Sequence, residues 1–371
     1  MAAVFTTNGG RVVGPIPRAA RYFRLFWREN SPSTRVWLWT AILAVIRFLK
    51  IWVVGGSALI CSTVVCAATA PLAVSNLSPF SLLRALPEQR TAQAPVGLQW
   101  ELSGMIANHF VVQSAAAEML YLDGQTDRLA LSLRYGFAND WDIELTLPWL
   151  HHSGGFTDAG IERWHKVFGL PNGDRDRYPK NHLRYELNGQ GQVSRLERST
   201  QGLGDIEVAL SRELLGSDSA HLAASIGMKS ATGSTQQWLG SGTTDIFALL
   251  RFSGRYPDDG PLYWHGQIGT TWAGESPLLG DAQRRTLWFT GLSVEWSLTS
   301  AWSALLQYDA HSGISRSHLA PLDQTAGMLS MGLRWRASEK WSVDFGFSED
   351  VVVETAPDIN FLLNVRVALD P

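Results

Sequence analysis

The sequence predicts an all-β protein, a transmembrane up-and-down antiparallel barrel of about 12 strands. Three observations carry that expectation. Runs of roughly ten residues alternate apolar and polar side chains, the length a tilted strand needs to cross a bilayer. Aromatic residues stand at the ends of these runs. Short turns alternate with long connections.

The alternation is clearest where Leu129, Leu131, Leu133, Tyr135 and Phe137 interleave with Arg128, Ala130, Ser132, Arg134 and Gly136. Trp141, Ile143, Leu145, Leu147 and Trp149 then interleave with Asp142, Glu144, Thr146 and Pro148. Period-2 runs recur at 222–228, 288–296, 302–308, 341–347 and 359–369. A soluble sandwich also alternates, so the aromatics decide. Trp141, Trp149, Trp296, Trp302, Trp335 and Trp341 fall where an interfacial girdle would place them, because an amphipathic ring is most stable at the headgroup level. Trp141 and Trp149 end one strand. At about 3.3 Å per residue and a tilt near ~40° they lie roughly 20 Å apart along the membrane normal, close to the height of an apolar band.

Short turns are expected near 138–140, 215–220, 254–261, 297–301 and 336–340. Longer links at 150–201, 230–243, 274–284, 312–325 and 350–357 would be the outer loops. The strands so delimited are 96–106, 128–137, 141–150, 202–214, 220–229, 244–253, 262–273, 285–296, 302–311, 326–335, 341–349 and 358–369. Residues 107–127 are left as a connection. An even number of strands puts both ends of the barrel on the periplasmic side.

Composition bounds the rest. The chain of 371 residues has 16 Trp and only 18% charged residues. Eight of its 31 Lys and Arg and one of its 34 Asp and Glu lie in residues 1–70, so the remainder carries 23 bases against 33 acids. Such an acidic body excludes a nucleic-acid partner, which needs a positive surface. Ile51 to Cys66 is uncharged, follows Arg47 and Lys50, and precedes Ala67-Ala68-Thr69-Ala70, the pattern of a secretory signal peptide. Residues 41–68 are read as that signal, and 1–40 as an extension from a start assigned too far upstream. Residues 69–95 are read as a periplasmic segment or plug, and 96–371 as the barrel in a Gram-negative outer membrane. Both cysteines, Cys61 and Cys66, fall in the signal, so no disulfide or cysteine-bound cofactor is expected beyond it.

Pro71-Leu72-Ala73-Val74-Ser75-Asn76-Leu77-Ser78-Pro79 opens the mature part, and Leu122-Asp123-Gly124 and Leu147-Pro148-Trp149-Leu150-His151-His152-Ser153-Gly154-Gly155 follow. Asp158, Ile161-Glu162 and His165-Lys166-Val167-Phe168-Gly169-Leu170-Pro171-Asn172-Gly173 complete the set. Over about 71–370 the sequence resembles the proteobacterial family catalogued as domain of unknown function 3187. The resemblance implies an outer-membrane barrel and no particular chemistry.

Charged residues at lumen-facing positions are Arg128, Arg134, Asp142, Glu144, Asp205, Glu207, Lys229, Asp245, Arg251, Glu295, Asp309, Arg334, Arg336, Asp344 and Arg366. They would line a watery path, or pair off and block a narrow barrel. Asp158 to Phe168 reads as a helix with Asp158, Glu162 and His165 on one face. With His151 and His152 nearby, that face could hold a metal or act as acid and base. Otherwise it is the solvated side of a lid. The expected function is a passive channel or small-solute transporter without cofactor. The alternatives are an outer-membrane enzyme acting on lipid or lipopolysaccharide, and a structural or partner-binding barrel with a plugged lumen. Expected partners are outer-membrane lipid, lipopolysaccharide and the barrel-assembly machinery, with the ligand unknown.

Facing is testable. Leu145→Arg should destabilise the folded barrel by about 2–4 kcal/mol, since Leu145 is read as facing lipid near mid-membrane, whereas Thr146→Arg should be better tolerated. Urea unfolding in lipid vesicles would measure both; equal effects would contradict the register.

Overall fold

The computed structural model describes residues 69–371 apart from 139, 169–174, 190–191, 353–354, 358 and 370–371. The extension 1–40 and the signal 41–68 lie outside the described residues.

Twelve strands among the described residues close one antiparallel barrel. They are β1 (Gly97–Ala115), β2 (Glu118–Ala138), β3 (Trp141–Ser153), β7 (Glu207–Gly216), β8 (Ala220–Lys229), β9 (Asp245–Tyr256), β10 (Leu262–Trp272), β11 (Thr286–Ser297), β12 (Trp302–His311), β13 (Ala326–Arg336), β14 (Trp341–Asp350) and β15 (Ile359–Ala368). Each pairs with its neighbour, and the first strand closes on the last from Gln99↔Ala368 to Asn108↔Ile359. Short turns gather at one rim and long loops at the other. Between β3 and β7 the chain adds α1 (Asp158–Phe168) and the strands β4 (Arg184–Gly189), β5 (Gln192–Leu196) and β6 (Thr200–Leu203).

The wall is apolar outside and polar inside, as a barrel that meets lipid must be. Leu129, Tyr135, Ile143 and Leu292 are exposed, while their inward neighbours Arg128, Arg134, Asp142 and Ser293 are buried. Trp302 and Trp335 face each other across a strand pair with ring centroids 6.4 Å apart. Trp100 meets Trp341 edge-on at 5.7 Å. Trp141 lies against Arg212, and Trp149, Trp272 and Trp288 are exposed towards the long-loop rim.

Two expectations are corrected. Residues 107–127 are not a loop: β1 and β2 run on to a turn at 116–117, where Ala116 takes φ 54°. Their far ends carry β4, paired from Met119↔Asn188 to Asp123↔Arg184, and β5 beyond it. There Glu186 sits between Arg195 and Arg184, and the hydrogen bond from Arg195 above all holds its carboxyl below the usual range. The strand expected at 202–214 is broken at 204–206. Gly204 N–H donates to the Pro148 carbonyl, and Asp205 turns inward to accept from the Gly233 and Ser241 amides.

Residues 69–95 lie inside the barrel and contribute no strand. The Pro71 carbonyl accepts from Arg366 near the short-turn rim. Leu72 N–H donates to Gln307, and Asn76 bonds His311 at the long-loop rim. The segment bends there, with Phe80 packed on Trp238 at 4.9 Å. It then descends: Ala85 accepts from Thr271, Ala92 N–H donates to Ser253, and Ala94 N–H donates to Glu213 near the short turns. Phe80 and Leu83 at the bend join Leu120, Tyr185, Trp238, Leu279 and Leu319 in one apolar cluster at the long-loop rim.

A wall with every strand paired has no edge at which detergent can open it. Unheated protein should therefore migrate faster than boiled protein in detergent gels. Identical migration would contradict the closed barrel.

Candidate functional site

The lumen-facing charges other than Asp205 are gathered by strand periodicity, since every second residue of a strand points inward. Arg128, Arg134, Asp142, Glu144, Asp205, Lys229, Asp245, Arg251, Glu295, Arg334 and Asp344 are buried, and Glu207, Asp309, Arg336 and Arg366 are partly so. A wall of twelve strands cannot by itself remove its inner side chains from water. The segment 69–95 does that.

Three residues of this segment, which sequence reasoning left unassigned, knit it to the wall. Arg90 lies among three carboxylates: Nε is 2.7 Å from Glu144, Nη2 is 3.0 Å from Glu88, and Nη1 is 3.2 Å from Glu101. Glu88 in turn accepts from Arg128 and from Ser75, each at 2.8 Å. Arg84 is 3.3 Å from Asp245, which also accepts from the Ala85 amide at 3.0 Å. An arginine fork offers five donors and suits such multiple pairing. The sequence signal was the charged triplet Arg84, Glu88 and Arg90 in an otherwise uncharged, proline-punctuated stretch.

Elsewhere the wall neutralises itself. Arg334 grips Asp344 through Nε at 2.6 Å and Nη2 at 2.8 Å, and reaches Glu295 at 2.6 Å. Arg336 also pairs with Glu295, and Arg366 with Glu101. Arg134 holds Asp142 in the same two-pronged way, at 2.8 and 2.7 Å. Asp309 is met by the amides of Gln89 and Gln307. Arg251 reaches only within 3.8 Å of Glu144 and donates to Ser211.

The helix face is differently disposed. Asp158 accepts from Asn108 at 2.8 Å and from the Asn181 amide at 2.7 Å. Glu162 pairs with Lys180. His165 lies in α1, but its side chain is outside the described residues. His151 pairs with Asp127, while the adjacent His152 points the other way, buried between Thr126 and the Trp238 carbonyl. Among the described residues no three potential metal ligands come together.

The fold and the lined lumen define a transmembrane β-barrel protein. The chain belongs to the family of proteins of unknown function DUF3187, whose model matches residues 48–368. No protein of curated function matches its sequence. Among solved structures it is similar to the NanC porin, at 11% identity and a TM-score of 0.42, over 74% of this chain and 100% of that one. It is also similar to the P. putida toluene transporter TodX, at 10% identity and a TM-score of 0.39, over 75% and 91%. For a Pseudomonas aeruginosa FadL homologue the values are 10%, 0.35, 73% and 89%.

Removing Arg90 would take from Glu88, Glu101 and Glu144 the guanidinium that all three share in a water-poor interior. Arg90→Ala should cost about 3–5 kcal/mol, as for other broken buried pairs. Arg285→Ala, which breaks an exposed pair with Glu275, should cost less than about 1 kcal/mol. Chemical unfolding of both variants measures the difference, and equal losses would contradict the burial of Arg90.

Proposed function

We propose that the protein is an outer-membrane channel or small-solute transporter whose lumen is closed in this state by its own residues 69–95. One observation carries the reading. The segment is held by side-chain bonds and ion pairs, and none of the wall's ladders includes it. Its departure would leave all twelve strand pairings intact and uncover a polar, charged interior. A segment meant only to fill the core would more naturally be apolar or join the sheet. Export behind residues 41–68 and insertion by the barrel-assembly machinery go with this proposal. So does a wall in contact with outer-membrane lipid and lipopolysaccharide.

A second reading, a permanently plugged structural barrel, is favoured by the apolar cluster at the long-loop rim. Phe80 and Leu83 are fully buried there against Trp238 and the loops. Planar-bilayer recording separates the two. The parent protein should open rarely, and a variant lacking residues 72–91 should conduct steadily. A folded deletion variant that stays silent would contradict the transport reading. Steady conduction by both proteins would show that the segment does not close the lumen.

A further inference from the structure

A chamber lies between the lumenal segment and the wall of β2, β3, β7, β8 and β9. Leu82 and Glu88 border it on one side, and Thr146, Glu207, Leu239 and Phe247 on the other. The charges around it pair off with a single exception. Glu88 is taken by Arg128 and Arg90, and Glu144 by Arg90. Asp205 is taken by Lys229 at 2.6 Å. Glu207 forms no ion pair and its carboxylate accepts no hydrogen bond from any described residue, although it is only half-buried and borders the chamber.

The obvious partner is already committed. Lys229 stands directly across the strand pair from Glu207. An ammonium has three protons, and those of Lys229 go to Asp205, to the Ser241 hydroxyl and to the Thr243 carbonyl. None is left for Glu207. A carboxylate that no donor reaches in a confined interior is costly, even with Arg128 and Lys229 attracting it from farther off, and the cost falls when a cation enters beside it. A bare metal ion is a poor fit, because no group of three metal-ligating side chains surrounds the place among the described residues. An ammonium asks less, needing one charge and a few acceptors. Thr146, paired across from Glu207 on the other side, offers its hydroxyl as one of them. Beside these lie the apolar side chains of Pro148, Leu239 and Phe247.

We propose that this chamber binds a small organic amine with a short apolar body, its ammonium on Glu207 and its carbons on Leu239 and Phe247. The inference deepens the transport reading and rests on it: the bound amine would be a solute on its way through the lumen.

Equilibrium dialysis of the folded, detergent-solubilised protein against 2-phenylethylamine tests it, with phenylacetate as the anionic counterpart. One amine per chain and no phenylacetate should be retained. Glu207→Gln should weaken amine binding by about tenfold or more, the effect of losing one charged hydrogen bond, while Glu207→Asp should keep most of it. Faster migration of the unheated variants checks that they remain folded. Equal amine binding by parent and Glu207→Gln, retention of phenylacetate, or no retention of amine by folded parent protein would each overturn the site. The transport reading fails separately, by a silent deletion variant in the bilayer. A conducting deletion variant together with Glu207-independent dialysis would sink the amine site alone.

Discussion

Everything inside this barrel depends on the neutralisation of charge out of contact with water. The wall turns a row of Arg, Lys, Asp and Glu inward because its outward face must be apolar, and strand geometry sends alternate residues to opposite sides. Charges so buried are tolerable only with partners. The strands supply some of these to each other, as Arg334 and Asp344 do directly across β13 and β14. Glu144 finds its nearest partner in Arg90 of the lumenal segment, and Glu101 shares Arg90 with Arg366 of the wall. The interior is therefore incomplete without that segment, and the segment has no support without the wall.

On the proposed reading, the same arrangement lets the segment both fill the lumen and leave it. Sheet hydrogen bonds would fix the segment as an added strand. Side-chain pairs fix it equally well while dry, yet each can be exchanged for water one at a time if water enters. At the bend the bonding changes character, from ion pairs to the packing of Phe80 and Leu83 beneath Trp238 and the long-loop residues. The lumen is thus filled by a polar network along one limb of the segment, apolar packing of Leu72, Val74 and Leu77 along the other, and an apolar cap at the long-loop rim.

The sequence was most legible where the bilayer imposes its own period. Strand length and inward and outward facing follow from the strand period, and Trp302 and Trp335 stand across from each other on β12 and β13. Legibility ended at the bilayer's edge. Along 107–127 both faces of the hairpin escape the demand for lipid contact. His109, Gln113 and Glu118 sit there without apolar alternation, and Leu122-Asp123-Gly124 reads locally as a turn. The break at Gly204 likewise comes from a contact outside its own strand, with the Pro148 carbonyl. For the lumenal segment no period exists to be read: Arg90 meets Glu144 across 54 positions and Arg366 meets Pro71 across 295. That Glu207 has no hydrogen-bond donor among the described residues becomes visible only once the three protons of Lys229 are assigned elsewhere.

The account stands or falls on whether residues 69–95 occupy the lumen of the folded protein. The Thr91 and Ser253 hydroxyls lie 3.2 Å apart, one on the descending limb of the segment and one on the inner face of β9. In a chain whose Cys61 and Cys66 are replaced by Ser, Thr91→Cys with Ser253→Cys should form an intramolecular disulfide on mild oxidation of the folded barrel. Mass spectrometry of the linked peptides would detect it. A folded, heat-modifiable barrel in which both thiols stay free would contradict the central claim.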